Sequence, residues 1–223
     1  ANSIVLLSGI LHDATQRNVI ILIDEYDVPL QSAFLHGYYD EMLTFLRTMM
    51  SSALKTNPYL ERGVITGCLR VSKESSLSGL NNVESHTIMS EGKREFFGFE
   101  PWEVQEMLHY FDLDNAYPQI EYNYDGYNFC GRHAHNPWSV NMCIRSLLEE
   151  NRFPYLCYWA NTSGNAVVTD MFRQKPEFRE TCMKLIAGET VHETVSEYLT
   201  WKDLVDPRHV WSLLTFSGYL NAL

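Results

Sequence analysis

Hydrophobic positions in the first fifteen residues recur at helical spacing, at Ile4, Leu7, Leu11 and Ala14, with Val5, Leu6 and Ile10 widening the stripe. A short amphipathic helix is predicted. Arg17-Asn18 breaks the period, and the continuous aliphatic run Val19–Ile23 then stops at Asp24-Glu25. Such a run reads as a strand buried on both faces, the habit of parallel sheets covered by helices. Pro29 marks a loop, and helical periodicity resumes from Tyr39 to Lys55 through Met42, Leu43, Leu46, Met49, Met50, Ala53 and Leu54 until Asn57-Pro58 ends it. A second short apolar strand, Gly63–Gly67, follows. Residues 19 to 67 therefore read strand, helix, strand, the pattern of a parallel crossover. Ser72 to Asn82 reads as a loop and His86 to Met89 as a third strand.

From about Phe96 the texture changes to helices punctuated by aromatic turns. Pro101 suits a first helical position, with Trp102, Val104, Leu108 and Phe111 as one apolar face. Asn136-Pro137 resembles an N-cap followed by Pro at the first helical position, opening a helix to about Glu149. Further helices are expected from Ser163 to Phe172, from Pro176 to Ala187 with Gly188 as the stop, and near Pro207 to Phe216. Tyr124-Asp125-Gly126-Tyr127 reads as a tyrosine-anchored turn, because Asp-Gly is a turn dipeptide. Trp138, Trp159, Trp201 and Trp211 sit beside periodic apolar positions and are expected in the core.

Composition narrows the classes. The 223 residues carry 17 Lys and Arg against 28 Asp and Glu, a formal charge of −11. That balance argues against a surface that coats nucleic acid or binds anionic membranes, since either needs a cationic stripe. With 45% hydrophobic and 20% charged residues the composition is globular. No apolar run approaches the roughly 20 residues needed to cross a bilayer, so no membrane association is expected. The five cysteines are scattered without a C-x-x-C pair, which favours reduced thiols and a cytoplasmic setting over a disulfide framework or a zinc knuckle.

The strongest chemical signal is the aliphatic strand ending in Asp24 and Glu25. At such a strand end one carboxylate can hold Mg²⁺, usually through water, while its neighbour orients or deprotonates an attacking water. Asp24 is the metal-side candidate and Glu25 the catalytic base. At the end of the next strand, the Thr66 hydroxyl can sense a phosphate and Arg70 can stabilise charge within the chain or across a subunit contact. A strand leaving the core also commonly ends in Asp or Glu, and Thr66 and Arg70 equally suit a strand cap and a solvated loop. The phosphate cradle G-x-x-x-x-G-K-[S/T] is absent from the chain, and the glycines Gly63 and Gly67 are not followed by Lys-Ser or Lys-Thr. His133 and His135 have a spacing that can place two imidazoles on one face of a strand, but no third metal ligand lies nearby in sequence, which favours coincidence.

The segment Val19–Pro29 resembles the Walker-B region of the AAA-ATPase-like proteins that are often fused to a C-terminal PD-(D/E)XK-nuclease-like domain. The resemblance continues through Gly37–Asp40, Gly63–Arg70, Lys73-Glu74-Ser75, Ser78–Asn82, Phe97-Gly98-Phe99, Tyr124–Tyr127, Asn136–Ser139, Tyr158–Ser163 and Leu213–Leu220. It implies an α/β fold: a partial P-loop NTPase core of the additional-strand class over residues 1–95, then a helical and winged-helix-like region over 96–223. It assigns Glu25 as the catalytic carboxylate, Asp24 as the magnesium and nucleotide residue, and Thr66 and Arg70 as nucleotide sensors. Departures from the family pattern fall at Ser76-Leu77, at Asn128 where Arg is usual, and at His133-Ala134-His135. The resemblance also implies that the chain is the middle of a longer protein, without the Walker-A lysine and the nuclease-like half. ATP and Mg²⁺ are then expected to bind only alongside the Walker-A segment, and nucleic-acid contact only through the nuclease-like domain. Self-association is open. The alternative is a non-catalytic regulatory or scaffolding domain of ATPase-derived fold.

Overall fold

A computed structural model describes residues 2–68, 80, 82–129, 131–158 and 176–221. The elements are α1 (Ser3–Thr15), β1 (Val19–Ile23), α2 (Val28–His36), α3 (Tyr39–Leu54), β2 (Leu60–Ile65), α4 (Pro101–Tyr110), α5 (Tyr117–Tyr124), β3 (Asp125–Phe129), β4 (Arg132–His135), α6 (Pro137–Glu150), α7 (Pro176–Ile186) and α8 (Val210–Phe216). This is a mixed α/β protein. Two compact units are present, residues 1–85 with 194–213, and residues 86–193 with 214–223. The second unit thus begins ten residues before the boundary expected at 95/96, and residues 194–213 group with the first unit.

In the first unit β1 and β2 pair in parallel, with Ile20 opposite Arg62, Leu22 opposite Val64 and Ile23 opposite Ile65. The helix-linked crossover expected over residues 19–67 is present, with two helices in the connection. Pro29 does not mark a loop. It sits in the first turn of α2, where its missing N–H would have had no intrahelical partner. Asp40 and Glu41 in the first turn of α3 complement its dipole. Leu46, Met50, Ala53 and Leu54 line its buried face. Met50, Ala53 and Leu54 meet Tyr26, Ile21, Ile23, Leu60, Ile65 and Ile4 of α1 in one cluster. Asn57 Nδ2 donates to Ser8 Oγ at 3.0 Å, and that hydroxyl donates to the Ile4 carbonyl at 2.8 Å, which fastens α1 to the loop before β2. Gly63 is needed for close packing, since a Cβ there would lie 2.7 Å from Leu54 Cδ2.

The expectation that β1 is buried on both faces is corrected. Ile20 and Leu22 are 60% and 74% exposed, and Val64 is also exposed. Side chains alternate along a strand, and the helical cover lies over the face carrying Ile21 and Ile23. The stripe on α1 is corrected likewise: Leu6, Leu7, Ile10 and Leu11 are exposed, and Ser8 is the buried position. In the tail of this unit Trp201, Leu204, Val210 and Trp211 are buried, and Lys202 Nζ pairs with Asp40 at 2.6 Å.

The second unit is built around Val104 and Leu108 of α4, Ile120 and Tyr124 of α5, and Val140, Cys143 and Ile144 of α6. Asn136 caps α6 as expected, accepting from Ser139 N–H at 2.9 Å, with Pro137 next. Trp102 and Trp138, both placed on core faces by their spacing, are exposed. Trp102 turns outward to donate its indole N–H to Glu100 Oε2 at 2.8 Å. No strand forms at His86–Met89; Thr87 and Ser90 close a turn there. Nor does Asp125-Gly126 form a turn. It opens β3, which pairs antiparallel with β4, and the reversal comes after Phe129. The tyrosines still anchor the segment: Tyr124 donates to the Leu156 carbonyl at 3.0 Å, and Tyr127 Oη accepts from Asn136 Nδ2 at 2.7 Å. The helix expected at Ser163–Phe172, Trp159, and most of the loop expected at Ser72–Asn82 lie outside the described residues. No helix among the described residues is long and apolar enough to cross a membrane.

His133 and His135 do not share a site. His133 is exposed and its Nδ1 lies 2.9 Å from Asp125 Oδ2, whereas His135 is fully buried and neither ring nitrogen has a hydrogen-bond partner among the described residues. Burial pushes the His135 pKa below its ordinary 6.5, opposed by the Asp125 carboxylate of β3 and by Glu121 of α5, with His133 adding to the lowering. A histidine whose pKa is depressed by folding binds its proton more readily in the unfolded chain, so it favours unfolding as pH falls below the unfolded value. The urea midpoint is therefore expected to fall on acidification below about 6.5, and His135→Gln to flatten that dependence. An unchanged slope in the variant would contradict this.

Candidate functional site

The C-terminal ends of β1 and β2 bring three of the four sequence candidates together. Asp24 lies two residues beyond Leu22, and Thr66 two residues beyond Val64, so both continue the open face of the sheet. The ladder runs on past the strands, with Thr66 N–H donating to the Ile23 carbonyl and Tyr26 N–H to the Thr66 carbonyl, each at 2.9 Å. The Thr66 hydroxyl is used twice. It donates to Asp24 Oδ1 and accepts from Glu25 N–H at 3.2 Å. Arg70, the fourth candidate, lies outside the described residues.

Glu25 has a left-handed backbone, φ 51°. For a non-glycine residue that conformation costs about 1 kcal/mol or more, and it persists where the surroundings hold it. The Thr66 hydrogen bond to its N–H is one such hold. The turn directs the chain from β1 into α2, and it leaves Asp24 and Glu25 both exposed at the strand end.

A carboxylate oxygen and a hydroxyl are hard donors suited to Mg²⁺. Among the described residues no three His, Cys, Asp or Glu side chains are arranged to hold a metal by themselves. Asp24 and Thr66 therefore fit an ion that keeps most of its ligands as water or phosphate oxygen, and do not form a closed protein cage.

Sequence reasoning missed the role of Asp27. Its side chain is buried, and Oδ2 accepts from the Cys68 N–H at 3.0 Å. The available signal was the third acid in Asp24-Glu25-Tyr26-Asp27 together with the glycine at Gly67. Desolvation, then Asp27 and Glu25, push the Cys68 thiol up to about 11, so it stays protonated at neutral pH and is a poor nucleophile. Tyr26 is likewise held neutral by burial and by Asp27.

An uncharacterized protein in the vnfD 5' region of Azotobacter chroococcum mcd 1 is 24% identical over 185 residues, covering 81% of this chain and 34% of that protein. The chain thus spans about a third of that relative's length. No solved structure matches. Residues 2–77, which include Asp24, Glu25, Asp27 and Thr66, match the family model described as Predicted AAA-ATPase, so this segment is similar to the AAA-ATPase-like family.

Proposed function

We propose that residues 1–95 are the Walker-B-bearing part of a P-loop NTPase core of the additional-strand class, and that the protein binds ATP and hydrolyses it with Mg²⁺. The helical region from residue 96 onward is its winged-helix-like companion in this reading. The observation that carries the proposal is the left-handed Glu25 beside Asp24 at the end of a parallel strand, with one Thr66 hydroxyl bonded to both residues.

Asp24 has one carboxylate oxygen engaged by Thr66, which fixes the side chain and orients it toward a metal through the other oxygen or through water. Bound there, Mg²⁺ would neutralise charge on the nucleotide phosphates. Glu25, one residue on and exposed, orients a water and takes up its proton as it attacks. Thr66, tied to both, relates the metal-side carboxylate to the base. The phosphate-holding lysine is not part of these 223 residues. The chain alone is accordingly expected to bind nucleotide weakly and turn it over negligibly.

A non-catalytic scaffolding role is the second reading, and the exposed Ile20, Leu22 and Val64 favour it, because a parallel sheet ordinarily has both faces covered. ATP turnover by the polypeptide encoded in the whole reading frame separates the two. The hydrolytic reading requires Mg²⁺-dependent turnover, and the scaffolding reading requires none.

A further inference from the structure

Asp27 occupies the N-cap position of α2, where an aspartate ordinarily accepts a hydrogen bond from the backbone of its own helix. It makes no such capping bond. The side chain is 4% exposed, and its Oδ2 reaches across 41 residues of sequence to the Cys68 N–H. A buried charge is costly unless it is hydrogen-bonded or placed in a favourable field. The Cys68 N–H and the N-terminal end of α2 supply both conditions.

The other side of the contact is equally specific. A Cβ on Gly67 would come within 2.6 Å of Asp27 Oδ1 and within 2.6 Å of the Tyr26 ring, so only glycine lets the two segments approach this closely. Tyr26 is itself buried and donates its N–H to the Thr66 carbonyl at 2.9 Å. The segments Asp24–Asp27 and Thr66–Cys68 are thus tied through side chains at both ends, by the Thr66 hydroxyl and by the Asp27 to Cys68 bond.

We propose that Asp27 is a positioning residue: its carboxylate fixes the spacing between the loop carrying Asp24 and Glu25 and the segment Thr66–Cys68, and so keeps the Thr66 hydroxyl on Asp24 and on the Glu25 N–H. The kinetic consequence rests on the hydrolytic reading above. The structural consequence does not.

The test compares Asp27→Ala, Asp27→Asn and Gly67→Ala with wild type, and uses Glu25→Gln as the reference for hydrolysis. Amide exchange of Cys68 and Glu25 is measured in this chain, and ATP kinetics in the polypeptide of the whole reading frame. Losing one buried acceptor is expected to speed exchange at Cys68 by about tenfold in Asp27→Ala, with faster exchange at Glu25 as well. In the same variant kcat is expected to fall about 30- to 100-fold, as for a catalytic group displaced by about 1 Å, with KM within about threefold. Asp27→Asn keeps an oxygen for Cys68 and is expected to recover most of the loss. Gly67→Ala, which leaves the Asp27 charge in place, is expected to reproduce it.

Unchanged Cys68 exchange in Asp27→Ala overturns the proposal. So does a kcat per folded molecule equal to wild type while Glu25→Gln is impaired. If Glu25→Gln also turns over ATP normally, the hydrolytic reading fails, and the positioning role is decided by Cys68 exchange alone. Should Asp27→Ala not fold, the same decision is read from Gly67→Ala against Asp27→Asn.

Discussion

Replacing Glu25 with Gln is expected to lower ATP turnover by about 100-fold or more while leaving nucleotide affinity within about threefold, the pattern left by removing a general base. Gln has the same length and can hold the same backbone, so the loss would report proton transfer. Glu25→Gly makes the complementary case. It removes the side chain from a residue at φ 51°, where glycine pays no steric cost. Turnover is expected to fall as in the Gln variant, while unfolding stability holds or rises by up to about 1 kcal/mol. Removing a side chain from a strained turn without loss of stability would show that the residue is kept for its chemistry. Normal turnover in the Gln variant would remove Glu25 from the mechanism.

The largest effect on stability is expected at Met50→Ala. Met50 is fully buried between α3 and the covered face of the sheet, in contact with the cluster of Tyr26, Ala53, Leu54 and Leu80. Truncating it removes transfer free energy and leaves a cavity, at a cost of about 2–5 kcal/mol. Only one face of the two-stranded sheet is packed, so the sheet has no opposite layer among the described residues to absorb the loss. A urea titration of this chain should show the midpoint falling with little change in slope. A shift below about 1 kcal/mol would contradict the packing assigned to α3.

The elements most legible in the sequence were those whose local chemistry agreed with their tertiary role. Tyr39–Leu54 was visible because its apolar positions repeat at helical spacing and are the ones that pack. Asn136-Pro137 was visible because capping is a local interaction, and the parallel crossover because Val19–Ile23 and Gly63–Gly67 flank a helical pattern. The failures came where the outcome depends on what lies opposite. An aliphatic run announces apolar faces but cannot say whether both are covered, so Ile20 and Leu22 were misplaced. The β3–β4 hairpin was missed because its strands are rich in Tyr, Asn and His and carry no apolar alternation.

At the candidate site, Asp24 and Glu25 were readable from an aliphatic strand ending in two acids. The two bonds of the Thr66 hydroxyl were not, because they join residues 41 and 42 positions apart. Asp27 escaped for the same reason. Its local appearance is that of a helix cap, and its partner is the backbone of a distant loop.

The magnesium role proposed for this strand end is tested most directly by the Mg²⁺ dependence of ATP turnover in the polypeptide of the whole reading frame, wild type beside Asp24→Asn. Turnover is expected to require Mg²⁺, with a half-maximal concentration raised about 10- to 100-fold in the variant, the usual loss when a partner of a bound metal is removed. Turnover without Mg²⁺, no turnover at all, or an identical Mg²⁺ requirement in Asp24→Asn would contradict that role.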